Sequence, residues 1–239
     1  MLNTTKQLEP LLKRVQFEQR VVQQPMNGLV QVKLTHDGRF AEFRHDQKVL
    51  VAKVERPLIH QLGSRLWGIQ DYKMIAEGWY RMNAAQLEQA LASVFSKHDL
   101  VARYFVDQTG VNRVYGFVSP HFVDVNPLSF REHFIEQVRQ STSLTARSDG
   151  LTNFKNGDVV EWFDFHSFDC QTKYKYGLYY ARNSGYDAYK VLWGREIIIC
   201  TNGLKTFEQG SSRWKHTRDF ALSKFIEDTL QVGLGNQQW

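Results

Sequence analysis

At Pro25–Gly28 the apolar residues change from helical spacing to a period of two, and the spacing changes again several times further along the chain. A period near 3.6 gathers apolar side chains into one stripe of a helix, whereas a period of two gathers them on one face of a strand. Before the first change, Leu8, Leu11, Leu12 and Val15 fit a helix, with Pro10 expected in its first turn, where its missing N–H costs nothing. After it, Val30, Val32 and Leu34 alternate with Gln31 and Lys33. His36–Asp37–Gly38 is a hairpin-turn signal, and strands follow at Phe40 to Arg44 and Lys48 to Val54, which predicts a β-meander.

The helical period returns at Pro57, with Leu58, Ile59, Leu62 and Leu66. Asn83, with Gln86 three residues later, has the form of a capping box ahead of Leu87, Leu91, Val94 and Phe95. Leu100–Val106 and Val111–Val118 predict a second hairpin across Asp107–Gly110. Asn126–Pro127 is a cap followed by proline at the first helical position, opening a helix with Phe130, Phe134, Ile135 and Val138 on its apolar side. Ser141 to Asn156 shows little pattern and predicts a loop or linker. Beyond it, strands are expected at Val159–Phe165, Tyr176–Arg182, Ala188–Trp193 and Arg195–Cys200, with a turn at Thr201–Asn202–Gly203. A last helix is expected from about Thr217 to Val232, carrying Phe220, Leu222, Phe225, Ile226 and Leu230. No period of 20–50 residues repeats, which argues against a solenoid. Hairpins mixed with amphipathic helices predict an α+β fold, mixed rather than doubly wound.

Composition narrows the class of protein. A chain that is 42% hydrophobic and 23% charged is neither collagen-like nor wholly disordered, and two cysteines cannot form a disulfide scaffold. The longest apolar run is about four residues, Ile197 to Cys200, against the roughly 18 that span a bilayer. Lys6, Glu9, Lys13 and Arg14 interrupt the N-terminal segment before a signal-peptide core can form, so a cytoplasmic protein without a membrane partner is expected. Cys170 and Cys200 belong to no CxxC unit and read as reduced core residues. A length of 239 residues fits one large domain or two small ones. The division that the pattern suggests is an α+β region over residues 1–150 and a basic, Tyr-rich region over 151–239, either separate or sharing one core.

Charge is unevenly distributed. Residues 1–170 carry 20 Lys/Arg against 19 Asp/Glu, whereas residues 171–239 carry 10 against 6. A local basic surface concentrates polyanions and speeds their capture.

Several chemistries lack their residues. Neither GxGxxG nor GxxxxGK[ST] occurs, and there is no GxSxG elbow. Lys155–Asn156–Gly157–Asp158 and Glu77–Gly78 superficially match two lysine-nucleotidyl-transfer motifs, but their order and spacing are wrong for that reaction. The eight histidines form no HxH, HxxxH or HExxH pair. The densest cluster of metal-ligating residue types is Asp164, His166, Asp169 and Cys170, of which Asp164, His166 and Asp169 could supply part of a divalent-metal nuclease site. Phe163, Phe165 and Phe168 are interleaved with it, as an amphipathic strand with one wet face would also require.

Six of the ten tyrosines follow residue 171, interleaved with Lys173, Lys175, Arg182, Lys190 and Arg195. Single-stranded nucleic acid is held by cations along the phosphates and flat side chains under the bases. On a strand, Lys173 and Lys175 would share one face and Tyr174 and Tyr176 the other, so tyrosines packed into a core remain an alternative. A second dense region, Arg213–Trp214–Lys215–His216–Thr217–Arg218, precedes the last helix, which Ser211 or Thr217 could cap.

Arg195–Glu196–Ile197–Ile198–Ile199–Cys200–Thr201–Asn202–Gly203–Leu204, followed by Arg213–Trp214–Lys215–His216–Thr217, resembles a phage- and plasmid-borne family catalogued as domain of unknown function 932. Tyr115–Gly116–Phe117–Val118–Ser119–Pro120 to Phe122 resembles its middle segment. The resemblance covers about Gln86 to Leu230 and implies a mobile-element context, in which single-strand annealing proteins are common.

The leading expectation is a cofactor-free single-stranded nucleic-acid-binding protein, oligomeric if it aligns strands for annealing in recombination or replication. Lys173, Lys175, Arg182, Lys190, Arg213, Lys215 and Arg218 would contact phosphates, and Tyr174, Tyr176, Tyr180 and Trp214 would stack on bases. The alternatives are a divalent-metal nuclease using Asp164, His166 and Asp169, and a protein-interaction module acting on a host factor.

Overall fold

The structure, a computed structural model, describes residues 4–123, 126–141, 146–153, 159–166, 172–180, 189–198, 205–214, 221 and 223–228, with side chains described for 8–123, 126–137, 140, 221 and 223–228. In chain order the elements are α1 (Thr4–Glu18), β1 (Val22–Pro25), β2 (Gln31–Leu34), β3 (Phe40–His45), β4 (Lys48–Lys53), α2 (Arg56–Trp67), α3 (Tyr72–Arg81), α4 (Ala84–Lys97), β5 (Val101–Val106), β6 (Asn112–Val118), α5 (Pro127–Ser141), β7 (Ala146–Asn153), β8 (Val159–His166), β9 (Thr172–Tyr180), β10 (Tyr189–Ile198) and β11 (Lys205–Trp214). The fold is α+β, with a mixed six-stranded sheet and an antiparallel five-stranded one. The chain divides into two compact units, one built mainly on Glu18–Phe122 and the other on Met1–Phe17, Val123–Asn183 and Asp187–Trp239.

The Glu18–Phe122 unit contains the six-stranded sheet, in the order β1-β5-β6-β4-β3-β2. The expected meander is β2-β3-β4, and its first turn closes on Gly38 at φ 66°, whose N–H donates to the Thr35 carbonyl (2.8 Å). Its second turn is tighter, with Asp46 and Gln47 both at positive φ (46° and 65°) between the paired residues His45 and Lys48. Positive φ at both central residues matches the right-handed strand twist, although a side chain there is strained. The second expected hairpin, β5-β6, joins the meander through the parallel pair β4-β6.

Asp107 holds the β5-β6 turn. Its carboxylate accepts from the Thr109 hydroxyl (2.6 Å), Arg113 Nε (2.8 Å), and the Val111 and Thr109 backbone N–H groups. These bonds, that from the Thr109 hydroxyl most of all, hold the acid well below the ordinary carboxylate range.

The core lies between this sheet and the helices. Ala41, Phe43, Leu50, Ala52, Ala102 and Phe117 meet Leu58, Ile59 and Leu62 of α2 and Leu87, Leu91, Val94 and Phe95 of α4. Phe43, Phe95 and Phe117 form an edge-to-face trio with ring centroids 4.9 to 5.6 Å apart. The buried Gln61 side chain accepts from the Phe117 backbone N–H (3.0 Å) and so ties α2 to β6. The Asn83–Gln86 capping box forms as expected, both bonds being made.

Helix α3 was not legible in the apolar pattern because it buries only Ile75 and Trp79. Asp71 caps it by accepting from the Met74 N–H (3.0 Å). Helices α2 and α3 meet at glycines: Trp67 lies against both Gly63 and Gly78, and Ile75 against Gly63. On the other side of the sheet, buried Arg103 pairs with Glu18 (2.8 Å), which also accepts from the Tyr115 hydroxyl (3.4 Å).

In the other unit, α1 corrects the placement of Pro10. The helix begins at Thr4, so the proline is interior, and the polar Lys6 and Gln7 hid that start from the apolar pattern. Asn126 caps α5 as expected, accepting from the Leu128 and Ser129 N–H groups (2.9 and 3.3 Å). Phe130 and Phe134 of α5 are buried, and Phe130 stacks on Phe225 (5.5 Å) from the helical residues 223–228. The expected start of the last helix near Thr217 is corrected at Ala221, which lies outside the helix and whose carbonyl accepts from the Phe225 N–H (2.9 Å); its remaining residues lie outside the described ones.

Three expectations for the five-stranded sheet are corrected. The supposed loop at Ser141–Asn156 contains β7, which among the described residues is an edge strand paired with β8, with a bulge between Ser148 and Gly150. The strands expected on either side of Gly194 are one strand, β10, and the glycine sits mid-strand opposite Lys175 and Gln209. Strand β11 was missed because its sequence is mostly polar, yet all ten residues pair with β10. Ser211 therefore lies in a strand and cannot cap a helix. Cys170, Cys200 and the expected turn at Thr201–Gly203 lie outside the described residues. Among the described residues, no helix is long and apolar enough to cross a membrane.

Candidate nucleic-acid interface

The five-stranded sheet runs β11-β10-β9-β8-β7, with every neighbouring pair antiparallel. Directly opposed residues share a face, and successive residues alternate, so the register sorts every paired position without reference to side-chain contacts, Asp149 in the β7 bulge being left unassigned.

Lys173 stands opposite His166 and Glu196, and Lys175 opposite Asp164 and Gly194. Lys190 stands opposite Tyr179 on one side and Arg213 on the other. Arg147 is opposite Asp164, and Lys205 is opposite Ile198 on the same face. One face thus carries Arg147, Lys173, Lys175, Lys190, Lys205 and Arg213, with Asp164 and Glu196 as the acids that the register places there. Trp162, Tyr179 and Phe207 share it.

The opposite face has a different composition. Tyr174 is opposite Phe165 and Arg195, Tyr176 opposite Phe163 and Trp193, Tyr180 opposite Val159, and Trp214 opposite Tyr189. Its charged positions are Glu161, Arg195 and Glu208.

Of the sequence-predicted phosphate contacts, Lys173, Lys175, Lys190 and Arg213 fall on one face. Arg182, Lys215 and Arg218 lie outside the described residues. The predicted stacking residues Tyr174, Tyr176, Tyr180 and Trp214 all fall on the other face. Sequence reasoning did not select Arg147, Lys205, Trp162, Tyr179 and Phe207. The signal for Lys205 and Phe207 was their parity relative to β10, which needs β11 to be recognised as a strand.

For the metal alternative, Asp164 and His166 share a face two residues apart on β8, opposite Lys175 and Lys173 respectively. Asp169 lies outside the described residues. No cluster of three His, Cys, Asp or Glu suited to a metal occurs among the described residues. Comparison with protein-family models, curated proteins and solved structures finds no match to this chain.

Proposed function

We propose that the protein binds single-stranded nucleic acid on the cationic face of the five-stranded sheet. The observation that carries this reading is the segregation of charge by register. Among the positions that the register places, six Lys and Arg against two acids occupy one face, while the other has one Arg against two Glu, and Asp149 in the β7 bulge is assigned to neither. Lys173, Lys175, Lys190 and Arg213 contact phosphates in this reading, joined by Arg147 and Lys205. Trp162, Tyr179 and Phe207 replace the tyrosines of the other face as stacking groups, because bases must meet rings on the face that holds their phosphates. Each stacked base adds about 1–3 kcal/mol regardless of sequence, which suits a protein that handles strands without reading them. The chain does this without a cofactor, and strand annealing by an oligomer is the use that the resemblance to the phage- and plasmid-borne family suggests. The test is fluorescence anisotropy of a labelled oligonucleotide at ~50 mM salt, where each phosphate contact counts most. Saturable binding that weakens with added salt is expected, and absence of binding overturns the proposal.

A further inference from the structure

We propose that the five-stranded sheet anchors its strand at one nucleotide-sized site, with a phosphate across Lys190 and Arg213 and a base seated on the backbone at Gly177, an inference that rests on the reading that this chain binds single strands.

Register pairs most cations of this sheet with acids. Lys173 stands opposite Glu196, Lys175 and Arg147 opposite Asp164, and Arg195 opposite Glu208. Lys205, opposite Ile198, is one row from Glu196. Lys190 and Arg213 instead stand opposite one another, and among the described strands no other Lys or Arg opposes a second one. Like charges directly opposed cost a sheet stability, and a phosphate lying across both removes that cost. Positive charge without a register partner is therefore concentrated at this pair rather than spread over the face.

Arg213, Lys190 and Tyr179 stand in line across β11, β10 and β9. In the next row Leu192, Gly177 and Trp162 stand in line across β10, β9 and β8. No acid occupies a paired position in either row, Asp149 in the β7 bulge being assigned to neither face. Glycine inside a strand weakens it and marks either a bulge or a place where another group comes close to the backbone. Strand β9 pairs with β8 and β10 without a register shift, so no bulge accounts for Gly177. Gly194 has Lys175 and Gln209 opposite it and no ring, whereas Gly177 has Trp162 opposite and Tyr179 two residues along on the same face. With strands about 4.8 Å apart and a rise of about 3.4 Å per residue, Gly177 lies roughly 10 Å from the middle of the Lys190–Arg213 pair, the scale of one nucleotide. A flat group that takes its place between two ring positions while its anion meets two cations is a nucleobase carrying its phosphate.

The test begins with photocross-linking of the wild-type protein to a single-stranded oligonucleotide carrying 5-iodouracil, where mass spectrometry should locate an adduct at Trp162 or Tyr179. Gly177→Val, checked for folding by circular dichroism, puts a strand-favouring side chain in the seat. It should bind a base-bearing oligonucleotide about 5- to 150-fold more weakly, the loss of one stacked base, and an abasic oligonucleotide of the same length as wild type does. The K190A/R213A variant should flatten the slope of log affinity against log salt by about 1.4. Adducts only at other residues, a folded Gly177→Val protein with equal or no losses on the two oligonucleotides, or an unchanged slope for K190A/R213A overturns this site and leaves the broader reading of the cationic face intact. If Gly177→Val fails to fold, the wild-type adducts and the K190A/R213A slope decide. No oligonucleotide binding by the wild-type protein overturns both.

Discussion

Gly63→Ala tests the packing of the Glu18–Phe122 unit most directly. A Cβ at residue 63 would stand 2.3 Å from Ile75 Cγ2 and 2.9 Å from the Trp67 ring. Carbon atoms in contact sit about 3.5–4.0 Å apart, so α2 and α3 must separate by more than an ångström or Ile75 must leave its rotamer. Overpacking of this kind costs about 1–3 kcal/mol. Alanine recovers roughly 0.5–1 kcal/mol over glycine in a helix, which leaves a net loss centred on about 1 kcal/mol and reaching about 2.5 kcal/mol if neither helix can shift. Urea denaturation followed by far-ultraviolet circular dichroism reads that loss as a lower midpoint at unchanged slope. Ile75→Ala removes the clashing methyl, so combining it with Gly63→Ala should relieve the strain. The two changes together should cost at least about 1 kcal/mol less than the sum of the singles, beyond the ~0.3–0.5 kcal/mol within which independent sites add. A Gly63→Ala protein as stable as wild type, or strictly additive singles, would refute the geometry argued for this contact.

Three further outcomes follow from the same structure. The variant K175A/K190A/R213A should flatten the salt slope of oligonucleotide binding by about 2, whereas Arg195→Ala, on the opposite face, should leave it unchanged; equal effects would remove the distinction between the faces. Gln47→Gly should raise stability by about 0.5–1 kcal/mol, because glycine adopts the positive φ of the Asp46–Gln47 turn without strain, and a thermal melt showing no gain would count against that turn. Asp107, whose acidity is strengthened by folding, stabilises the protein above its unfolded pKa of about 3.9, and this contribution fades as pH falls toward the lower folded value. The melting-temperature gap between wild type and Asp107→Asn should therefore narrow between pH 7 and pH 3, and an equal gap at both would contradict the assignment.

Much of the Glu18–Phe122 unit was legible from local signals. The meander, the Asp107 turn, the Asn83–Gln86 box and the buried stripe Leu87, Leu91, Val94, Phe95 each depend on residues within a few positions of one another. Where a signal needed distant residues, the sequence fell short. Helix α3 buries only two side chains, and β7 and β11 owe their existence to hydrogen bonds donated and accepted by partner strands rather than to their own apolar pattern.

The candidate interface divides in the same way. The order of residues is enough to show that cations and aromatics concentrate after residue 171, and that Lys173–Tyr174–Lys175–Tyr176 must alternate between two faces of a strand, because strand side chains repeat every two residues. Which residues on other strands join each face follows from how the strands pair. Register is a property of the paired backbones, and slipping the β10–β11 pair by a single residue against β9 would move Lys190 and Arg213 across to the side of Tyr174 and Tyr176.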